Sequence, residues 1–164
     1  MAELLFKNLR PTPWEPGFHW VSSASLAASE INLYHEDFPD RVPATLKTLE
    51  LPTAGDASRA PVVQHLLTTH SLVFGDRPFG GKFRDVNVTI AGRHAPDWRI
   101  VETLMEQLVA HYPALDDLET LWNWYYDFET LHPFQDGNGR VGGIIVATRS
   151  HALFPEKGWL APEQ

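Results

Sequence analysis

The sequence predicts a mainly α fold, a helical bundle carrying one small β-hairpin. Two helical stripes and one alternating run support this. Over residues 100–112, Ile100, Val101, Leu104, Met105, Leu108 and Val109 recur at the 3.6-residue period and share a face, and Pro113 ends the run. Residues 118–131 repeat the pattern, with Leu118, Leu121, Trp122, Tyr125 and Phe128 expected to point inward. Val86, Val88 and Ile90 alternate with Asn87 and Thr89, the period of a strand, and Gly92 and Pro96 bracket a hairpin tip.

The other elements follow in order. Residues 1–21 carry Pro11, Pro13, Pro16 and several aromatics and read as an irregular arm packed on the domain. Residues 22–34 are rich in Ala and Ser and read as a helix with a weak stripe of Leu26, Ile31 and Leu33. Residues 42–51 read as a short helix, with Pro43 early and Pro52 closing it, and residues 53–58 as a loop. Pro61 suits a helix start, where its missing N–H costs nothing. Val62, Val63, Leu66, Leu67, Val73 and Phe74 then form one face, and Gly75 suits the end. A last helix is expected over residues 138–151. Residues 22–164 therefore read as a single domain.

Composition narrows the function. The chain has 164 residues, 43% of them hydrophobic, enough for one domain with a real core. Its formal net charge of -8 repels phosphate backbones, so nucleic acid is not an expected partner. There is no cysteine, hence no disulfide and no thiolate metal site, as suits a cytoplasmic protein. The first residues lack a basic patch followed by an apolar run, so no signal peptide is expected. No apolar stretch is long enough to span a membrane. The expected location is the cytoplasm, or delivery from it into another cell.

Residues 131–140, LHPFQDGNGR, lie between the last two predicted helices and concentrate the chemistry. Gly137 and Gly139 permit positive φ and close approach of a ligand to the backbone. They stand where a loop enters a helix, and the free N–H groups and dipole of a helix start suit an anion. Arg140 adds a guanidinium fork matched to phosphate. Asp136 offers a hard oxygen suited to Mg²⁺ held jointly with a phosphate. His132 titrates near neutrality and can act as a general base. A base, a magnesium ligand and a phosphate cradle within nine residues describe a nucleotidyl or phosphoryl transfer site. Gly137, Gly139 and Gly142 also spell GxGxxG, but a helix precedes them where a dinucleotide fold needs a strand. A calcium loop fails on Arg140 at a ligand position and on the missing bidentate Glu. No Walker sequence occurs.

The nonapeptide HPFQDGNGR is similar to the signature of the Fic family, His-x-Phe-x-Asp/Glu-Gly-Asn-Gly-Arg, then two further residues, then a second Arg. GGKFRDVNVTIAG, residues 80–92, resembles the family's GxxR segment leading into a β-hairpin flap, and YYDFETLHPF resembles the helix before the signature. The resemblance covers residues 61–150. It implies a Fic-like helical bundle with the flap beside the active-site loop, and transfer of AMP from ATP to a hydroxyl side chain of a target protein. By resemblance, His132 is the base, Phe134 the buried anchor of the loop and Asp136 the Mg²⁺ ligand. Gly137, Asn138 and Gly139 form the anion hole, Arg140 grips the phosphates beyond the α position, and Val86, Asn87, Val88, Thr89 and Ile90 form the target-docking flap. ATP is the substrate, Mg²⁺ the cofactor, and an inhibitory or antitoxin partner is among the expected partners.

The second signature arginine falls at position 143, which is Gly143 here. The death-on-curing branch also lacks it and transfers phosphate, so a phosphotransferase is the alternative reading, and a non-catalytic binding module a third. No inhibitory Ser/Thr-x-x-x-Glu-Gly/Asn motif surrounds Glu30, Glu156 or Glu163. His65 and His70 read as ordinary histidines, Trp122 and Trp124 as packing residues, and Lys82 and Arg84 equally as substrate or phosphate contacts or as solvated loop charges.

Overall fold

The structure, a computed structural model, describes residues 17–51, 63–90, 92–111 and 117–162. Strand β1 (Phe18–Val21) leads into helices α1 (Ala24–Asn32), α2 (Val42–Leu49) and α3 (Val63–Phe74). The hairpin β2 (Thr89–Ile90) and β3 (Arg93–His94) follows, then α4 (Val101–His111), α5 (Leu118–Leu131), α6 (Asn138–Leu153) and strand β4 (Trp159–Pro162). The mainly helical architecture is as predicted. Residues 1–16, the expected start at Pro61 and Val62, and the expected stops at Pro52 and Pro113 lie outside the described residues.

Helix α6 is the axis of the molecule. Residues 140–150 are all buried, and the helix packs on α1, α2, α3, α5 and β4. Val141 and Ile145 join a core with Leu104, Met105, Leu121, Phe128 and Phe134. Ile144 and Ala147 join a second core with Ala27, Ala28, Ile31, Val73 and Phe74. Two glycines let neighbours close on this helix. A Cβ at Gly142 would stand 2.8 Å from Tyr125 Cε1, and one at Gly143 would stand 3.3 Å from Ile31 Cγ1. Position 143 therefore faces α1 across packed apolar surface.

Capping sets the helix starts. Ser23 accepts from the Leu26 N–H at 3.1 Å, and Asp117 from the Thr120 N–H at 2.7 Å, each satisfying a donor that the first turn leaves open.

Several details correct the sequence reading. Residues 18–21 are not irregular but pair antiparallel with β4, Phe18 opposite Pro162 and Trp20 opposite Leu160. A pairing between the two ends of the chain leaves no local signal. The expected 86–90 strand shrinks to Thr89–Ile90, paired with His94 and Arg93 around Gly92 at φ 81°. The Val86 carbonyl accepts from Arg84, and the Val88 carbonyl from the Ala95 N–H. Ile100 is 46% exposed, in a 3₁₀ turn ahead of α4. Trp122 is 45% exposed, whereas Trp124 is fully buried. At about 100° per residue, Leu121, Trp124, Tyr125, Phe128 and Leu131 form one arc, and Trp122 falls on its flank.

Candidate active site

His132 caps α5 in the left-handed region, at φ 52° and ψ 64°. Its N–H completes the helix by bonding to the Phe128 carbonyl at 2.9 Å. Its ring Nδ1 lies 3.1 Å from the Glu129 carbonyl, which can only accept, so Nδ1 carries the proton and Nε2 the lone pair. Burial lowers the His132 pKa. The Glu129 carbonyl opposes the shift, while the charges of Arg84 and Arg93 reinforce it. The side chain of Glu129 adds no negative charge at neutral pH, because burial pushes its carboxyl up to about 8. The ring is thus neutral near pH 7.

The loop after His132 is pinned from inside. Phe134 is fully buried and stacks on His70, with ring centroids 4.0 Å apart. The Asn138 side chain closes residues 134–138 into a ring: Oδ1 accepts from the Phe134 N–H at 2.8 Å and Nδ2 donates to the Phe134 carbonyl at 2.7 Å. This leaves its backbone N–H, rather than its amide, for a ligand. Gly137 is the N-cap of α6 at φ 84°, and a Cβ there would stand 2.4 Å from Phe74 Cε2, so both conformation and space demand glycine. A Cβ at Gly139 would meet nothing within 4 Å, so the backbone of the first turn is open to a ligand. Those first N–H groups have no acceptor within the helix.

Asp136 is exposed. Its Oδ1 accepts from the Gly137 N–H at 2.8 Å, and among the described residues no hydrogen bond engages Oδ2. One carboxylate oxygen beside an open helix start fits the sparse protein ligation that Mg²⁺ accepts. No group of three or more His, Asp or Glu able to hold a metal by themselves occurs among the described residues. Arg140 is buried, with its guanidinium 4.6 Å from the Phe74 ring centre. Its Nη1 donates to Asp37 Oδ1 at 2.5 Å, while its buried Nε has no partner among the described residues. Asp37 also accepts from Arg41 Nε at 3.0 Å. Burial alone would raise the Asp37 pKa, but the Arg41 hydrogen bond and the Arg140 charge hold it below the ordinary range.

A cleft of about 550 Å³ opens here, lined by Asp136 and Arg140 of the loop and helix start and by Phe74 and Phe79. Arg77, after α3, and Glu36, Asp37 and Asp40, after α1, complete its charged lining.

Two residues hold the loop from elsewhere in the chain. Arg84, 3% exposed, is neither a phosphate contact nor a solvated charge. Its guanidinium donates to the carbonyls of His132 at 2.6 Å, Pro96 at 2.5 Å, Val86 at 3.0 Å and Leu131 at 3.3 Å. Its own N–H bonds to the Pro133 carbonyl at 2.9 Å. It ties the segment before the hairpin to the end of α5. His70 accepts the Gly81 N–H at Nδ1, so its Nε2 carries the proton and donates to the Asp136 carbonyl, both at 2.9 Å. Burial lowers its pKa, against the opposing Asp136 carbonyl. Sequence reasoning missed His70 and Asp37. The only signal for Arg84 was the GxxR resemblance.

A family model described as Fic/DOC family matches residues 61–148. In overall structure the chain is similar to a Fic family protein from Desulfovibrio desulfuricans G20, with a TM-score of 0.59 and 23% sequence identity. That match covers 94% of this chain and 47% of the other, so the chain spans about half the length of that protein. No curated protein matches. The family match over residues 61–148, on a helical fold shared with that protein, makes this chain a member of the Fic/DOC family.

Proposed function

We propose that the chain is a protein adenylyltransferase that moves AMP from ATP to a hydroxyl side chain of a target protein. The observation that carries this reading is the neutral His132 ring, its Nδ1 proton committed to the Glu129 carbonyl and its Nε2 lone pair left for a substrate proton. Nε2 takes the proton of the target hydroxyl as its oxygen attacks the α-phosphorus. The new P–O bond forms, the bond to the β-phosphate oxygen breaks, and pyrophosphate leaves with the electron pair. The open N–H groups at Asn138, Gly139 and Arg140 stabilise charge on the phosphates. Asp136 would hold Mg²⁺ through its remaining oxygen, and the bound ion would neutralise phosphate charge. Val86, Asn87, Val88, Thr89 and Ile90, leading into the hairpin, would present the target segment.

Phosphoryl transfer is the second reading, favoured by one observation: position 143 faces Ile31 and supplies no cation for a γ-phosphate. The test is incubation with a cell lysate and ATP labelled at the α- or γ-phosphate. AMP transfer labels a protein from the α-phosphate. Label from the γ-phosphate alone indicates a kinase, and no label from either, with ATP still bound, indicates a binding module.

A further inference from the structure

The cleft beside Asp136 is lined by four carboxylates (Glu36, Asp37, Asp40 and Asp136) and two guanidiniums (Arg77 and Arg140). A polyphosphate entering it meets excess negative charge, so the availability of each cation matters. Arg140 is already engaged, with Nη1 on Asp37 at 2.5 Å. Arg77 is not. Its one ion pair among the described residues is with Asp76 Oδ2 at 4.0 Å, between side chains 51% and 63% exposed. Exposed pairs at that separation are weak and screened by solvent. Asp76 is itself engaged more closely by Arg41 Nη1, at 2.5 Å.

The backbone at Arg77 is nevertheless well placed. Its N–H bonds to the Phe74 carbonyl at 2.9 Å, and its carbonyl accepts from the Gly80 N–H at 3.0 Å. The long side chain therefore extends from an anchored backbone and lines the cleft.

We propose that Arg77 binds the terminal phosphates of a nucleoside polyphosphate in this cleft and so selects polyphosphates over monophosphates. The inference rests on the nucleotide reading above and adds the residue that reads the length of the phosphate chain. A monophosphate placed at the start of α6 does not need Arg77, whereas a triphosphate extending into the acidic cleft does. A guanidinium fork gives two charge-assisted hydrogen bonds where an ammonium gives a point charge.

The experiment is calorimetric titration of the full chain with ATP and with AMP at constant Mg²⁺, on wild type, Arg77→Gln and Arg77→Lys. Thermal melts serve as the check on folding. Arg77→Gln is expected to weaken ATP by about tenfold or more and to leave AMP within about twofold of wild type. Arg77→Lys is expected to recover part of the loss. Equal ATP affinity in wild type and Arg77→Gln, or equal weakening of ATP and AMP, overturns the role of Arg77 while leaving the nucleotide reading standing. A wild-type chain that binds neither nucleotide overturns both.

Discussion

Gly143→Arg places the family's second signature arginine where this chain has none, and the structure indicates that it will not fit. The residue lies on α6 against α1, and a Cβ there already stands 3.3 Å from Ile31 Cγ1 and 3.6 Å from Ile31 Cγ2. Ile31 is 1% exposed and packs with Ala27, Ala28, Ile144 and Ala147, so it has little room to yield. For Gly143→Ala, overpacking of about 1–3 kcal/mol is offset by about 1 kcal/mol of helix propensity. The net loss is about 0–2 kcal/mol. Arginine adds its stem and an unpaired charge within an apolar interface, which costs several kcal/mol more. A loss of at least about 4 kcal/mol is a large part of a typical stability of about 5–15 kcal/mol. At about 2–4 °C per kcal/mol for a chain of this size, the melting temperature falls by at least about 8 °C. Thermal unfolding followed by circular dichroism reads both variants. An arginine variant that melts within about 2 °C of wild type and binds ATP more tightly would show that position 143 reaches the cleft, refuting the packing argument.

His132→Gln is expected to cut transfer by about 10²–10⁴-fold with an unchanged melting temperature; wild-type labelling would remove His132 from the mechanism. Because the His132 pKa is lowered, the acid limb of a pH–rate profile should fall below the ordinary histidine value of about 6.5; a limb above that value contradicts the environment described. His35, His65, His70 and His132 all have lowered pKa values, with burial the leading cause in each. The unfolded chain therefore binds more protons below about pH 6.5. The stability contributed by the neutral rings is full above that pH and is lost as pH falls through the folded values. The raised Glu129 carboxyl gains stability over the same range, so denaturant midpoints of a Glu129→Gln variant measured between pH 8 and pH 5 should decline. Arg84→Met removes the donor to four carbonyls and is expected to cost about 1–3 kcal/mol for each one left buried and unsatisfied. Hydrogen exchange should then rise at residues 85–96 and at the end of α5, and unchanged exchange there would deny Arg84 its clamping role.

The sequence by itself determined the helical architecture, the bounds 118–131 of α5 and the start of α6 at Asn138, because these depend on contacts three or four residues apart. Within residues 132–140 the positive φ of Gly137 was legible for the same reason. Gly139 lies inside α6 without one, and the left-handed turn at His132 and the Asn138 ring were not foreseen. The glycine at 137 and the ring closed by Asn138 on Phe134 are local, four residues across. Tertiary structure alone decided how that loop is held and what surrounds it. Arg84 reaches His132 across 48 residues, His70 reaches Asp136 across 66, and Asp37 meets Arg140 across 103. No periodicity or spacing records such pairs, since each depends on the packing of whole helices. The direction of position 143 belongs with them. Its place one turn after Arg140 was plain in the sequence, but only α1, lying against α6 through Ile31, turned it from the cleft into the core.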